Sequence, residues 1–95
     1  KGARLDAEDE RGRTAVHYAG MAKTSRALSL LLARGAEIDA VDRNGATPLM
    51  LAAYADATEC IALLLEKGAR RDIKDERGRN ATDFAAMHKS QRSLR

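Results

Sequence analysis

Glycine stands at positions 2, 35 and 68, and again at 12, 45 and 78, so two ladders climb the chain in steps of 33 residues. Other residues keep the same step. Gly2-Ala3, Gly35-Ala36 and Gly68-Ala69 open three copies, and Asp9, Asp42 and Asp75 each precede the second glycine of their copy. Leu30-Leu31-Leu32 is answered by Leu63-Leu64-Leu65, and Asp-Glu-Arg-Gly-Arg recurs unchanged at 9–13 and 75–79. A period of this length describes a supersecondary unit that cannot bury its apolar side alone and gains a core by stacking on its neighbours. The spacing divides one domain over 1–95 into copies at 2–34, 35–67 and 68–95, the last cut short. The question of function therefore moves from an enclosed pocket to a surface.

Composition agrees with that architecture. Alanine and leucine supply most of the apolar content, beside one Phe, two Tyr and no Trp. Such small side chains suit helices packed closely together. The net charge of +3 permits acidic partners but falls short of a chain dedicated to nucleic acid. Cys60 is the only cysteine, which excludes an internal disulfide and reads as an intracellular protein, cytoplasmic or nuclear. No apolar run approaches the roughly 18 residues that cross a bilayer.

The middle copy shows how one unit is built. Asp42-Arg43-Asn44-Gly45-Ala46 carries turn residues, with Gly45 suited to the positive φ of a tight tip. Thr47-Pro48 then opens a helix, with a hydroxyl to cap free N–H groups and a proline at the first position, where no donor is lost. Leu49, Ala52 and Ala53 form its inward face. Asp56 begins a second helix with Glu59 three residues on, a capping-box spacing. Ile61, Leu64 and Leu65 form its buried face, and Gly68 ends it in the left-handed region. Helices shorter than about 12 residues are marginal alone in water, so stacking must stabilise them.

Thr47-Pro48-Leu49-Met50-Leu51-Ala52-Ala53 and Leu63-Leu64-Leu65-Glu66-Lys67-Gly68-Ala69 resemble the ankyrin repeat in period and signature. The resemblance covers essentially the whole chain. It implies an all-α solenoid of stacked helix-turn-helix pairs with projecting β-hairpin loops. The first copy, Thr14-Ala15-Val16-His17-Tyr18-Ala19, keeps the signature Thr and His but lacks the Pro. In the third, Asn80-Ala81-Thr82-Asp83-Phe84-Ala85, Thr82 replaces a core leucine, as in a terminal repeat whose outer side faces water. Lys23, Asp56 and Lys89 occupy the place where the family usually has glycine between the helices.

The resemblance also implies a non-catalytic protein-binding module that requires no cofactor or metal. His17 and His88 share no metal-ligand spacing, and His17 falls at the signature histidine, whose role is structural. Cys60 maps to the outer helix on its convex side as an inert thiol. Asp9, Asp42 and Asp75 follow the period and read as turn formers rather than catalytic carboxylates.

Family contacts come from hairpin tips and from the exposed side of the first helix. Carried over, the tips offer Arg11, Arg13, Arg43, Asn44, Arg77 and Arg79, and the helices offer Met21, Tyr54, Met87 and His88. Met21, Tyr54 and Met87 are equivalent positions, in a row with a spacing of about 8–10 Å. Such a row suits a protein partner with apolar and acidic anchors, bound by a monomer. Two structural alternatives stand beside this: the row packs between repeats, and the arginines pair only with neighbouring acids. Two other functions compete, a polyanion held by the arginine tips and a spacer within a larger enzyme, channel or scaffold.

Lys1-Gly2-Ala3 corresponds to Lys67-Gly68-Ala69, which closes a second helix, and Leu94 corresponds to Ile61. This pattern is expected of an excerpt from a longer array. Array stability is approximately a sum of unit and interface contributions. A polypeptide lengthened by one repeat at each end is therefore expected to melt at a higher temperature than the 95-residue chain, and equal melting would contradict the expectation.

Overall fold

The computed structural model describes residues 7–93, with side chains as far as Ser90. The correspondences of Lys1-Gly2-Ala3 and Leu94 lie outside the described residues. Among the described residues five helices follow in order: α1 over Ala15–Ala19, α2 over Arg26–Ala33, α3 over Pro48–Ala55, α4 over Thr58–Glu66 and α5 over Ala81–Ser93. The loops that precede α1, α3 and α5 are tight turns. Among the described residues no strand forms, so the β-hairpins implied by the resemblance are hairpin-shaped turns without a ladder.

Each first helix starts with the same reciprocal cap built from different chemistry. In α3 the Met50 N–H donates to Thr47 Oγ1 at 3.2 Å, and the Thr47 N–H meets Met50 Sδ at 3.4 Å. In α5 the Asp83 N–H donates to Asn80 Oδ1 and the Asn80 N–H to Asp83 Oδ2, both at 3.0 Å. In α1 the Thr14 N–H donates to His17 Nδ1 at 3.0 Å. Its other nitrogen, Nε2, lies 3.0 Å from the Ala46 carbonyl oxygen. A carbonyl only accepts, so Nε2 carries the hydrogen and His17 joins one unit to the next.

Stacking buries the first six residues of α3. Pro48, Leu49, Met50, Leu51, Ala52 and Ala53 are all buried, and α3 packs on α5, α4 and α1. One cluster joins Val16, Leu28, Leu49, Ala52, Cys60 and Leu64. A second, on the side of the turns, joins Ala46, Met50, Leu51, Ala53 and Phe84. Leu64 is buried as expected, while Ile61 and Leu65 are half-buried against the first cluster. Thr82 is exposed, in keeping with an outward-facing terminal unit.

Three local expectations change. Asp56 does not start the second helix. It closes α3 in the left-handed region at φ 57, with its N–H on Ala53 O and the Ala57 N–H on Ala52 O, and α4 begins at Thr58. Aspartate tolerates this conformation better than most residues, so it serves where glycine is usual. Glu59 is consequently no capping-box partner; its carboxylate accepts from the Ser25 N–H of the preceding unit at 3.2 Å.

Cys60 is fully buried rather than convex. Its thiol is within 3.4 Å of Ala19 O and 3.3 Å of Ala22 O, and burial pushes its pKa up. Lys89, unlike Asp56, lies inside α5, which runs unbroken through Ser93. Residues 81–93 hold no glycine or proline to interrupt it.

The turn-side contacts repeat in register. The Arg43 N–H donates to Arg11 O at 2.9 Å, and one period later the Glu76 N–H donates to Asn44 O at 2.9 Å. Gly12 and Gly45 are required there twice over. Their φ angles are 75 and 80, and a Cβ on Gly12 would lie 2.9 Å from Arg43 N, one on Gly45 3.1 Å from Glu76 N.

Because Leu64 joins α4 to the preceding unit with no exposed surface, Leu64→Ala is expected to lower stability by about 2–5 kcal/mol. Urea denaturation followed by circular dichroism measures this, and an unchanged midpoint would contradict the packing.

Candidate partner-binding surface

The three periodic aspartates build the loop tips. Asp9 Oδ1 accepts the N–H groups of Arg11 and Arg13, each at 2.9 Å. Asp42 Oδ1 accepts those of Asn44 and Ala46, each at 2.9 Å. Asp75 Oδ1 accepts those of Arg77 and Arg79, at 2.9 and 2.8 Å. In each copy one carboxylate oxygen is spent on shaping the turn, which is the structural role read from the sequence. What the second oxygen does differs from copy to copy.

Arg79 folds back on its own aspartate, with Nε and Nη2 on Asp75 Oδ2 at 3.0 and 2.9 Å. Its Nη1 lies 3.6 Å from Met87 Sδ, and the guanidinium carbon stands 4.8 Å from the centre of the Phe84 ring. Arg13 belongs to an identical pentapeptide yet pairs across the seam, with Nε on Asp42 Oδ2 at 3.2 Å. Two neighbours explain the difference. Tyr18 takes the place of Phe84, and its hydroxyl donates to Asp9 Oδ2, filling the oxygen that Arg13 would otherwise use. Ala46 takes the place of both arginines, leaving Asp42 Oδ2 open.

Arg11, Arg43, Asn44 and Arg77 are exposed at the tips, and none of these three arginines meets an acid among the described residues. The arginines expected as partner contacts thus fall into two groups. Arg13 and Arg79 are engaged by acids, as the structural alternative requires, while Arg11, Arg43 and Arg77 face solvent.

Met21, Tyr54 and Met87 are half-buried and pack against the second cluster. They serve the seam between units and still present surface. His88 is also partly structural. Its Nδ1 donates to the Tyr54 carbonyl oxygen at 2.9 Å, satisfying a group in the last turn of α3. Its Nε2 has no hydrogen-bond partner and lies 3.7 Å from Asp56 Oδ2. Beside them an open cleft of about 670 Å3 reaches across to Met21, Lys23 and Thr58. Tyr18, 44% exposed, adds an aromatic surface that the period alone had not singled out. Its equivalents Leu51 and Phe84 are buried, so only the first copy opens this position.

The acids carry the electrostatics of the tips. The Tyr18 hydroxyl, then the Arg13 and Arg11 N–H groups, hold the Asp9 carboxyl below its ordinary range, and the same bond raises the Tyr18 pKa. For Asp75, burial pushes upward, but the Arg79 backbone and side-chain hydrogen bonds, with help from the Arg77 N–H and the guanidinium charge, leave the carboxyl lowered. A carboxyl lowered by folding contributes stability above its unfolded value of about 3.9 and loses it as pH falls through the folded value. Asp75→Asn is therefore expected to be less stable at neutral pH and to lose less on acidification from about pH 5 to about pH 2 than the parent. Melting temperature against pH measures this, and parallel curves would contradict it.

Among the described residues no helix is long and apolar enough to cross a membrane. A search of curated proteins found no match. A family model described as ankyrin repeats, in three copies, matches residues 1–75 and again 21–95. These overlapping matches run the length of the chain, over the capped helix pairs and aspartate-built tips described above, and the chain belongs to the ankyrin-repeat family.

Proposed function

We propose that this chain is a non-catalytic module that binds a protein partner on its concave face, formed by the loop tips and the first helices. Ankyrin repeats in general act as protein–protein interaction modules. The observation that supports the reading is the row of first-helix side chains gathered at the second cluster, on the side of the turns. Met21, Tyr54 and Met87 follow one another in equivalent positions, half-buried, with Arg11, Arg43 and Arg77 exposed on the tips beside them. A half-buried aromatic held against a core is a low-entropy anchor, because little of its motion remains to be lost on binding. Exposed arginines steer an acidic partner.

A polyanion is supported less well. Asp75 occupies Arg79 and Asp42 holds Arg13 by Nε, so acids interrupt the row of tip arginines that would have to follow a chain of phosphates. The intracellular setting remains part of this proposal and rests on the lone, unpaired cysteine.

The test uses a protein ligand selected in vitro against the concave strip, with kinetics measured on parent and variants. Tyr54→Ala is expected to weaken binding by about 2 kcal/mol or more, mainly through faster dissociation. Arg43→Ala is expected to slow association and to flatten its salt dependence. If both variants fold by circular dichroism and bind as the parent does, the concave-face reading is wrong.

A further inference from the structure

We propose that Arg13, laid on the Tyr18 ring and tied through Nε to Asp42, is a preset receptor for a carboxylate side chain of the bound partner. The inference rests on the concave-face reading and specifies its chemistry at one position.

A guanidinium has two edges on which a carboxylate can sit, and the pair of terminal nitrogens forms one of them. Nε of Arg13 is committed to Asp42 Oδ2 at 3.2 Å, while the terminal pair makes no hydrogen bond to an acid among the described residues. The guanidinium carbon stands 5.7 Å from the centre of the Tyr18 ring. Two constraints therefore hold the side chain, which is 17% exposed, and its ordering costs little more on binding. Arg79 is the internal comparison. All three of its nitrogens have partners, so the same pentapeptide one period further on offers no open edge.

The surroundings suit an acid. Both carboxylates nearest Arg13 already accept three hydrogen bonds: Asp9 from Arg11, Arg13 and Tyr18, and Asp42 from Asn44, Ala46 and Arg13. Arg11 and Arg43, joined by the bond from Arg43 N–H to Arg11 O at 2.9 Å, bring two further positive charges to the same end of the strip. The exposed Tyr18 ring supplies an apolar contact beside the charge. The occupant is therefore a glutamate or aspartate of a protein segment, next to an apolar residue.

Acetyl-leucyl-glutamate amide is the probe, titrated into the 95-residue chain, with acetyl-leucyl-glutamine amide as its neutral counterpart. The Arg13 Nε–H and Tyr18 ring resonances are expected to shift saturably with the first and not with the second. Arg13→Lys keeps the charge but loses the planar pair, and should weaken the effect about ten-fold or more. Arg34→Lys, just past the end of α2, should leave it unchanged.

Tyr18→Phe distinguishes positioning from ring contact. It empties Asp9 Oδ2, so Arg13 should turn to its own aspartate as Arg79 does, and the dipeptide should bind more weakly although the ring remains. Absence of a saturable shift, an equal shift from the neutral dipeptide, or parental affinity in Arg13→Lys or Tyr18→Phe would overturn the proposal. If the dipeptide result fails while a selected partner still depends on Tyr54, Arg13 alone is misassigned. If Tyr54 has no effect while the dipeptide result holds, the concave-face reading is what fails.

Discussion

Burial of α3 along its first six residues is the constraint on which the other elements depend. Eight residues cannot sustain a helix in water, and α3 has no polar face with which to meet solvent. It exists only where α1, α4 and α5 surround it. Alanine at 52 and 53 keeps the neighbouring backbones close, and Leu49, Met50 and Leu51 fill the space on either side. Burial of the helix start also explains its cap. Polar groups there must find a partner inside the protein, and Thr47 with Met50 provides it, as Thr14 with His17 does in α1.

Much of this was legible because it depends on local chemistry. A Thr-Pro helix start, a glycine at a tip and a glycine past a helix end each follow from the residue's own geometry, and all three appear at Thr47-Pro48, Gly45 and Gly68. What was not legible depends on neighbours a whole period away. Asp56 shows the same spacing to Glu59 as a capping box, but the break that ends α3 needs a left-handed residue first. Cys60 looked outward on a single helix and is sealed by carbonyls of the preceding unit. The pairing of Arg13 could not be read from its pentapeptide, since Tyr18 and Ala46 decide it.

Among the candidate contacts, periodicity found the row of Met21, Tyr54 and Met87 and the tip arginines. It could not rank them. Equivalence in sequence assigns every copy the same role, whereas small differences between copies decide which side chains have donors left over. Tyr18 illustrates this: a single hydroxyl, missing from Phe84, redirects an arginine and leaves an aromatic ring open to solvent. Departures from identity between repeats thus change what otherwise equivalent side chains can offer at the surface.

The paired bonds between successive tips have a consequence for motion. Arg43 N–H and Glu76 N–H each belong to one unit but are closed by a carbonyl of the unit before. Each is held back from exchange by that bond while the two tips remain joined. Each amide is therefore a built-in gauge of one joint, reporting how often neighbours part at the turn edge. The helical amides report a different event, the unwinding of a unit itself. A solenoid instrumented in this way can show whether a ligand on the concave face stiffens the joints or only the residues it touches.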